Sequence, residues 1–280
     1  RTGLSSHGDM MKKGIIFSYV ALVLAISYSE ANAQQASVEV RDDFKKQFEQ
    51  FHVQGSFTLY DLRNNKWVLC NQEQLKKPFI PASTFKICNS LIGLETGVIT
   101  DENFLIKWDG VVRSRPEWNK DHDLKTAFKN STVWYYQELA RRVGGQRMKR
   151  WLDTLGYGNA DTSGGIDSFW LLGGLRITPE QQVLFLKRLF TGELPFSKRT
   201  MDIVRRIMIV KDTTAYTLRA KTGWSGQDGL DIGWYVGYLQ TKSNVYFFAT
   251  CIQRPESENP DFLSSRIEIT LAILKDLGLV

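Results

Sequence analysis

Histidine is almost missing. Three occur in 280 residues, and His7 lies in an N-terminal stretch set apart from the rest. His52 and His122 remain, neither beside a plausible nucleophile nor in metal-ligand spacing. A zinc site or a Ser-His-Asp triad would have to recruit one of them; both read as solvated or structural. Any acid–base chemistry therefore calls for a different base. Cysteine is as sparse: Cys70, Cys88 and Cys251. A disulfide framework needs an even, denser set. Cys88 falls on the apolar face of an expected helix and Cys251 in the run VYFFATCI, so both read as buried thiols, with one pair among the three left open. A dominant charge is absent too. Thirty-six basic and 30 acidic residues interleave to a net charge of +6, without a basic block, so a nucleic-acid partner is not expected.

Long apolar runs are confined to one place. Residues 14–26, with IIFSYVALVLAI at their heart, are too few for the roughly 20 residues of a membrane span. Lys12 and Lys13 precede the run, after a start at Met10 or Met11, and Ala31-Asn32-Ala33 closes it with a small-x-small pattern. These are the parts of a cleaved secretory signal; a membrane anchor is the alternative. RTGLSSHGDM does not begin with methionine and reads as an upstream remnant. The expected division is 1–33 as remnant and signal, with the mature chain from near Gln34 and a single domain over 34–280. No stable membrane anchor is expected after cleavage.

What is present is ordered by type. GSFTLYDLRNNKWVLC, residues 55–70, alternates loosely around a turn at Arg63–Lys66 and predicts a β-hairpin. PASTFKICNSLIGLETG follows, with apolar residues at helical spacing (Phe85, Cys88, Leu91, Ile92, Leu94) and Gly97 as a stop. STVWYYQELARRVG opens on a serine cap signal, MKRWLDTLGYG ends a helix on glycine, and ADTSGGID is a loop. ITPEQQVLFLKRLF has Thr178 as cap, Pro179 at the first helical position and Gln181 completing a capping box. TAYTLRAKTGW, IGWYVGYLQ and NVYFFATCIQ are strands, with a turn at Lys242-Ser243-Asn244, and residues 262–278 close the chain as a helix. The order predicts an α+β fold: an antiparallel sheet flanked by helices (about 34–80 and 176–280) with a helical part over about 81–175.

Ser83 and Lys86 lie three apart, one helical turn, in a stretch that is otherwise mostly apolar or small. A serine at a helix N-terminus sits where developing negative charge is favoured, but it needs a base to become a nucleophile. A lysine can serve only when its amine is neutral, a state that desolvation promotes. Alone, this spacing occurs by chance in many chains and reads first as a capping serine and an exposed lysine. Lys221-Thr222-Gly223 ends a strand, where glycine permits close approach to the backbone and lysine offers a positive group to an anion; Ser131 opens a helix and could relay a proton. Each of these also has an ordinary reading, as a strand-end turn and as a helix cap.

Together, in this order, Ser83-Thr84-Phe85-Lys86, Ser131-x-Val133 and Lys221-Thr222-Gly223 resemble the three motifs of the penicillin-recognising serine enzymes. Tyr157-Gly158-Asn159 and Phe169-Trp170-Leu171 make the chain look like a class D, oxacillinase-type, β-lactamase across nearly its whole mature length. The resemblance implies a fold shared with penicillin-binding transpeptidases and hydrolysis of the amide bond of penicillin-type antibiotics, conferring resistance. It implies Ser83 as the acylated nucleophile and Lys86, carboxylated by carbon dioxide, as general base. Phe85, Val133, Trp170 and Leu171 would wall off that group, with the Trp170 indole N–H donating to it. The backbone N–H groups of Ser83 and Trp224 would form the oxyanion hole, Ser131 and Lys221 would manage the leaving nitrogen's proton, and Thr222, Gly223 and Arg266 would hold the substrate. Arg266 has no motif of its own. The implied partner is a small-molecule β-lactam, the cofactor none beyond carbon dioxide or bicarbonate, the state a monomer or homodimer, and the location the periplasm. A receptor domain that stays acylated and a cell-wall transpeptidase or carboxypeptidase carry the same motifs and remain open at this point.

Overall fold

The computed structural model describes residues 35–227, 229–255 and 261–280. The expected signal segment lies outside them. Gln35–Val280 packs as one compact unit. The chain opens with β1 (Ser37–Val40), α1 (Lys45–Glu49), β2 (Gln54–Asp61), β3 (Lys66–Cys70) and the short α2 (Gln72–Leu75). A 3-10 turn, Ala82–Phe85, runs straight into α3 (Lys86–Glu95). Then come α4 (Leu124–Lys129), α5 (Val133–Val143), α6 (Gly145–Leu155), α7 (Pro179–Thr191) and α8 (Lys198–Ile207). The remaining elements are β4 (Ile209–Asp212), β5 (Tyr216–Gln227), β6 (Leu230–Thr241), β7 (Val245–Pro255) and α9 (Phe262–Asp276).

Among the described residues the strands form one sheet of seven in the order β1-β3-β2-β7-β6-β5-β4. The expected hairpin, turns and strands are present, and every pairing is antiparallel except one. β1 runs parallel to β3, Ser37 opposite Lys66 through Val40 opposite Leu69. The sheet is therefore mixed, where the sequence predicted an antiparallel one. β1 precedes the hairpin and joins it from outside, and Lys66 clasps Glu39 across the pair at 2.6 Å.

Both faces of the sheet are covered, so the central strands are apolar almost throughout instead of alternating with polar residues. Alternation survives as a division between two cores. Val236, Tyr238 and Phe247 face the helical side with Leu91, Leu139 and Phe85. Tyr235, Leu239 and Phe248 face the other side with Phe44, Ile269 and Ile273. The capping box at α7 is complete, Thr178 Oγ1 accepting from the Gln181 N–H and Gln181 Oε1 from the Thr178 N–H. Cys70, Cys88 and Cys251 are all buried free thiols.

Candidate active site

The 3-10 turn presents the serine. Ala82 has φ +48°, a left-handed conformation that side chains disfavour, and it turns the chain sharply just before Ser83. Ser83 is half-buried, and Lys86, first residue of α3, is wholly buried. The Lys86 Nζ donates to Ser83 Oγ at 2.7 Å. Burial pushes the Lys86 pKa far down, and the positive charges of Lys221 and Arg115 push it further. The surroundings thus favour the uncharged form of the amine beside the serine, the form that can accept a proton.

The walls around this lysine are aromatic. The Phe85 ring is buried with its centroid 5.3 Å from Trp170, 5.1 Å from Phe169 and 5.6 Å from Tyr157. The Tyr136 ring lies 5.3 Å from Lys86 Nζ. Val133 and Leu171 are half-buried, Leu171 against the core. Trp170 is 0% exposed, and its indole N–H has no hydrogen-bond partner among the described residues. Such a donor is costly when buried alone, by roughly 1–3 kcal/mol. A buried amine with a strongly lowered pKa, next in sequence to Phe85, and an orphaned N–H on the Trp170 ring that packs against Phe85 fit a carboxylated lysine: a neutral amine can react with carbon dioxide, and an unsatisfied indole N–H can donate to an anionic group.

A second serine–lysine pair stands at the mouth. Lys221 Nζ donates to Ser131 Oγ at 3.0 Å and to the Thr222 carbonyl at 3.1 Å. Burial, then Arg266 and Arg115, lowers the Lys221 pKa to about 7. Ser131 is not the helix cap that its position suggested. Thr132 occupies that place, without a side-chain capping bond, and Ser131 has φ +53°. Its strained backbone leaves the hydroxyl for Lys221. The loop beneath is pinned by Trp118, whose indole donates to the Asn130 carbonyl and whose own carbonyl accepts from the Trp134 indole.

Gly223 brings the two pairs together. The close approach that its motif implied is made by the protein's own chain: a Cβ there would meet the Pro81 carbonyl at 2.9 Å and the Thr84 methyl at 3.1 Å. Bare backbone lets β5 press against the serine turn. β4 pairs with β5 only through Thr217–Arg219, so the β5 edge at Lys221–Trp224 is left without a strand on that side among the described residues. Thr222 is half-buried and Trp224 is exposed. Arg266, on α9, is 9% exposed; its Nε and one Nη find no partner among the described residues, and burial followed by Arg115 lowers its pKa to about 10. A buried guanidinium with free donors is suited to an anion.

Arg115 is the residue that sequence reasoning missed. It is exposed, stacks over the Trp118 ring at 5.1 Å, and adds its positive charge to Lys86, Lys221 and Arg266 alike. No motif marks it; only the fold brings it to the other three. The histidines stay apart. His52 is exposed, and His122 is wholly buried, bonded to Thr126 Oγ1 and the Glu117 carbonyl, a structural role.

This arrangement has known counterparts. The penicillin-binding protein transpeptidase domain matches residues 36–275. The probable β-lactamase YbxI of Bacillus subtilis (strain 168) is 40% identical over 96% of this chain and 99% of its own. A class D β-lactamase structure from Nostoc is 47% identical, with a TM-score of 0.81 over 86% of this chain and 100% of its own. The chain belongs to the class D β-lactamase family. The fold is that of class D β-lactamases and penicillin-binding proteins. The C-terminal domain of the Bacillus licheniformis BlaR penicillin-receptor is also similar, at 35% identity and a TM-score of 0.82 over 88% of this chain and 98% of its own.

Proposed function

We propose that the protein hydrolyses the amide bond of β-lactam antibiotics through an acyl-enzyme on Ser83, and so confers resistance. One observation carries the reading: the Lys86 amine, wholly buried and with its pKa pushed far down by that burial, lies 2.7 Å from the Ser83 hydroxyl. The Lys86 side chain takes the serine proton as Oγ attacks the lactam carbonyl. Carbon dioxide joined to Lys86 as a carbamate would supply a stronger, anionic oxygen base at that place. Phe85, Val133, Trp170 and Leu171 keep water from Lys86 and so favour its uncharged form, and the Trp170 N–H is the donor in reserve. The backbone N–H groups of Ser83 and Trp224 receive the developing oxyanion, Trp224 from the open part of the β5 edge; each such donor is typically worth about 3 kcal/mol. Lys221, poised near pH 7, passes a proton through Ser131 to the leaving nitrogen. Arg266, with Thr222, pairs with the substrate carboxylate.

The Lys12–Ala33 leader supports export to the periplasm, where these antibiotics act. Similarity to the BlaR receptor domain favours a second reading, a sensor that stays acylated. A chromogenic β-lactam separates the two. Steady turnover is expected; a burst of one equivalent followed by no further hydrolysis would replace the enzyme reading with the sensor.

A further inference from the structure

A carboxylate holds the side chain that follows the Lys221-Thr222-Gly223 motif. Asp231 is 5% exposed, and its Oδ1 accepts from the Trp224 indole N–H at 2.8 Å. The register explains the reach. Trp224 lies opposite Gly233 and Asp231 opposite Gly226, which makes Trp224 and Asp231 diagonal neighbours on one face. Both directly opposed positions are glycine, so no other side chain competes for the space. A Cβ at Gly233 would meet Ile252 and, at 3.2 Å, the Phe262 ring, which identifies the face as the one that α9 covers. Thr222, two residues before Trp224, shares that face, and α9 carries Arg266. The Trp224 ring, 48% exposed, therefore stands on the same side of the strand as the pair assigned to the substrate carboxylate.

We propose that Asp231 is a positioning residue: it latches the Trp224 indole as a wall at the carboxylate end of the cleft, and this wall selects substrates by the ring substituent beside their carboxylate. The inference rests on the hydrolase reading above. An exposed aromatic ring with two free torsions would otherwise swing between rotamers. A hydrogen bond to a carboxylate, stronger than one between neutral groups, fixes one of them. In a β-lactam the fused-ring atom next to the carboxylate-bearing carbon holds a variable group, compact methyls in penicillins and often a long planar extension in cephalosporins. Anchoring the carboxylate at Arg266 and Thr222 sets that group against the indole. Asp231 itself touches no substrate.

The test compares kcat/KM for two cephalosporins with the same acylamino group, one bearing a methyl and the other a bulky substituent at that atom. The parent should prefer the methyl compound. Trp224→Phe keeps a ring and removes the N–H; Asp231→Ala removes the acceptor. Each should shrink the preference roughly tenfold, the scale of one charge-assisted bond, mainly through KM of the bulky substrate. Asp231→Asn keeps an acceptor oxygen and should restore most of the preference, and Asp231→Ala should add nothing in the Trp224→Phe background. An unchanged preference in Trp224→Phe overturns the inference, as does an equal further loss in the double variant. Should Asp231→Ala not fold, Trp224→Phe alone decides. A parent that turns over no β-lactam at all would sink the hydrolase reading itself, whereas turnover with an unmoved preference would sink only the latch.

Discussion

Lys86 and Lys221 set the chemistry at the scale of single residues. Each is buried with a serine hydroxyl at hydrogen-bond distance, and each has its pKa lowered first by desolvation. They differ in their neighbours. Lys86 lies against the Tyr136 ring and feels Lys221 and Arg115, while Lys221 feels Arg266 and Arg115. Ser83→Ala removes the nucleophile and leaves both lysines. Intact-mass measurement after incubation with a penicillin should find no acyl adduct on the variant; an adduct would show that another side chain is acylated. Trp170→Phe probes the pocket behind. It keeps an aromatic wall and deletes the indole N–H that no partner among the described residues satisfies. If that N–H serves a carboxylated Lys86, decarbonated buffer should abolish the activity of parent and variant alike. Restoring the variant should then require roughly tenfold more bicarbonate, the scale of one bond to a charged group. Equal bicarbonate dependence in the two proteins would reject the assignment.

Elements explain how such pairs meet. β5 can approach the Ser83 turn because residue 223 is glycine, with the Pro81 carbonyl and Thr84 methyl where a Cβ would be. Thr84 is in turn held by Gln182 of α7, whose amide donates to its hydroxyl at 2.8 Å. Gly223→Ala should force strand and turn apart, destabilising the fold by about 1–3 kcal/mol and slowing acylation more than it weakens substrate binding. Urea unfolding and pre-steady-state kinetics measure the two effects, and a variant as stable and as quickly acylated as the parent would refute the packing role. This contact also shows what could be read beforehand. The motif announced a glycine that permits close approach, but not what approaches, because Pro81 and Gly223 are brought together only by the fold. Local signals were legible: Thr178-Pro179-x-Gln181 specified its capping box, and the Lys242-Ser243-Asn244 turn its hairpin. β1 and β4, four residues each, are too short for a period to declare itself, and no single-strand pattern announces parallel pairing. Ser131 looked like a cap because residue type alone does not reveal its φ of +53°. The serine–lysine pairs were visible as motifs; Arg115 and Asp231 were not, since their roles depend on partners distant in sequence or on strand register.

Across the whole molecule, the site concentrates positive charge that folding must tolerate. Lys86, Lys221 and Arg266 are buried with lowered pKa values, and Arg115 adds to all three. The sign of the linkage follows directly. An unfolded lysine keeps its proton to about 10.5, whereas folded Lys221 releases it near 7. Between these values the unfolded chain binds more protons, so stability rises with pH. Below 7 both states are protonated, and the penalty for burying the charge is at its full, constant size. For Lys221 alone the gain from pH 7 to pH 9 is about 2 kcal/mol, since each pH unit corresponds to about 1.4 kcal/mol per proton. Buried thiols and tyrosines, whose pKa values burial raises, oppose this at high pH, but they are common to parent and variant. Lys221→Ala should therefore gain less stability than the parent between pH 7 and pH 9, by about that amount, in urea titrations without bicarbonate. It also relieves Lys86 of one of the charges that lower its pKa, which reduces the variant's gain further. Parallel stability curves for the two proteins would mean that Lys221 remains protonated in the fold throughout that range, an anion-binding cation that is not poised near pH 7 to give its proton to Ser131.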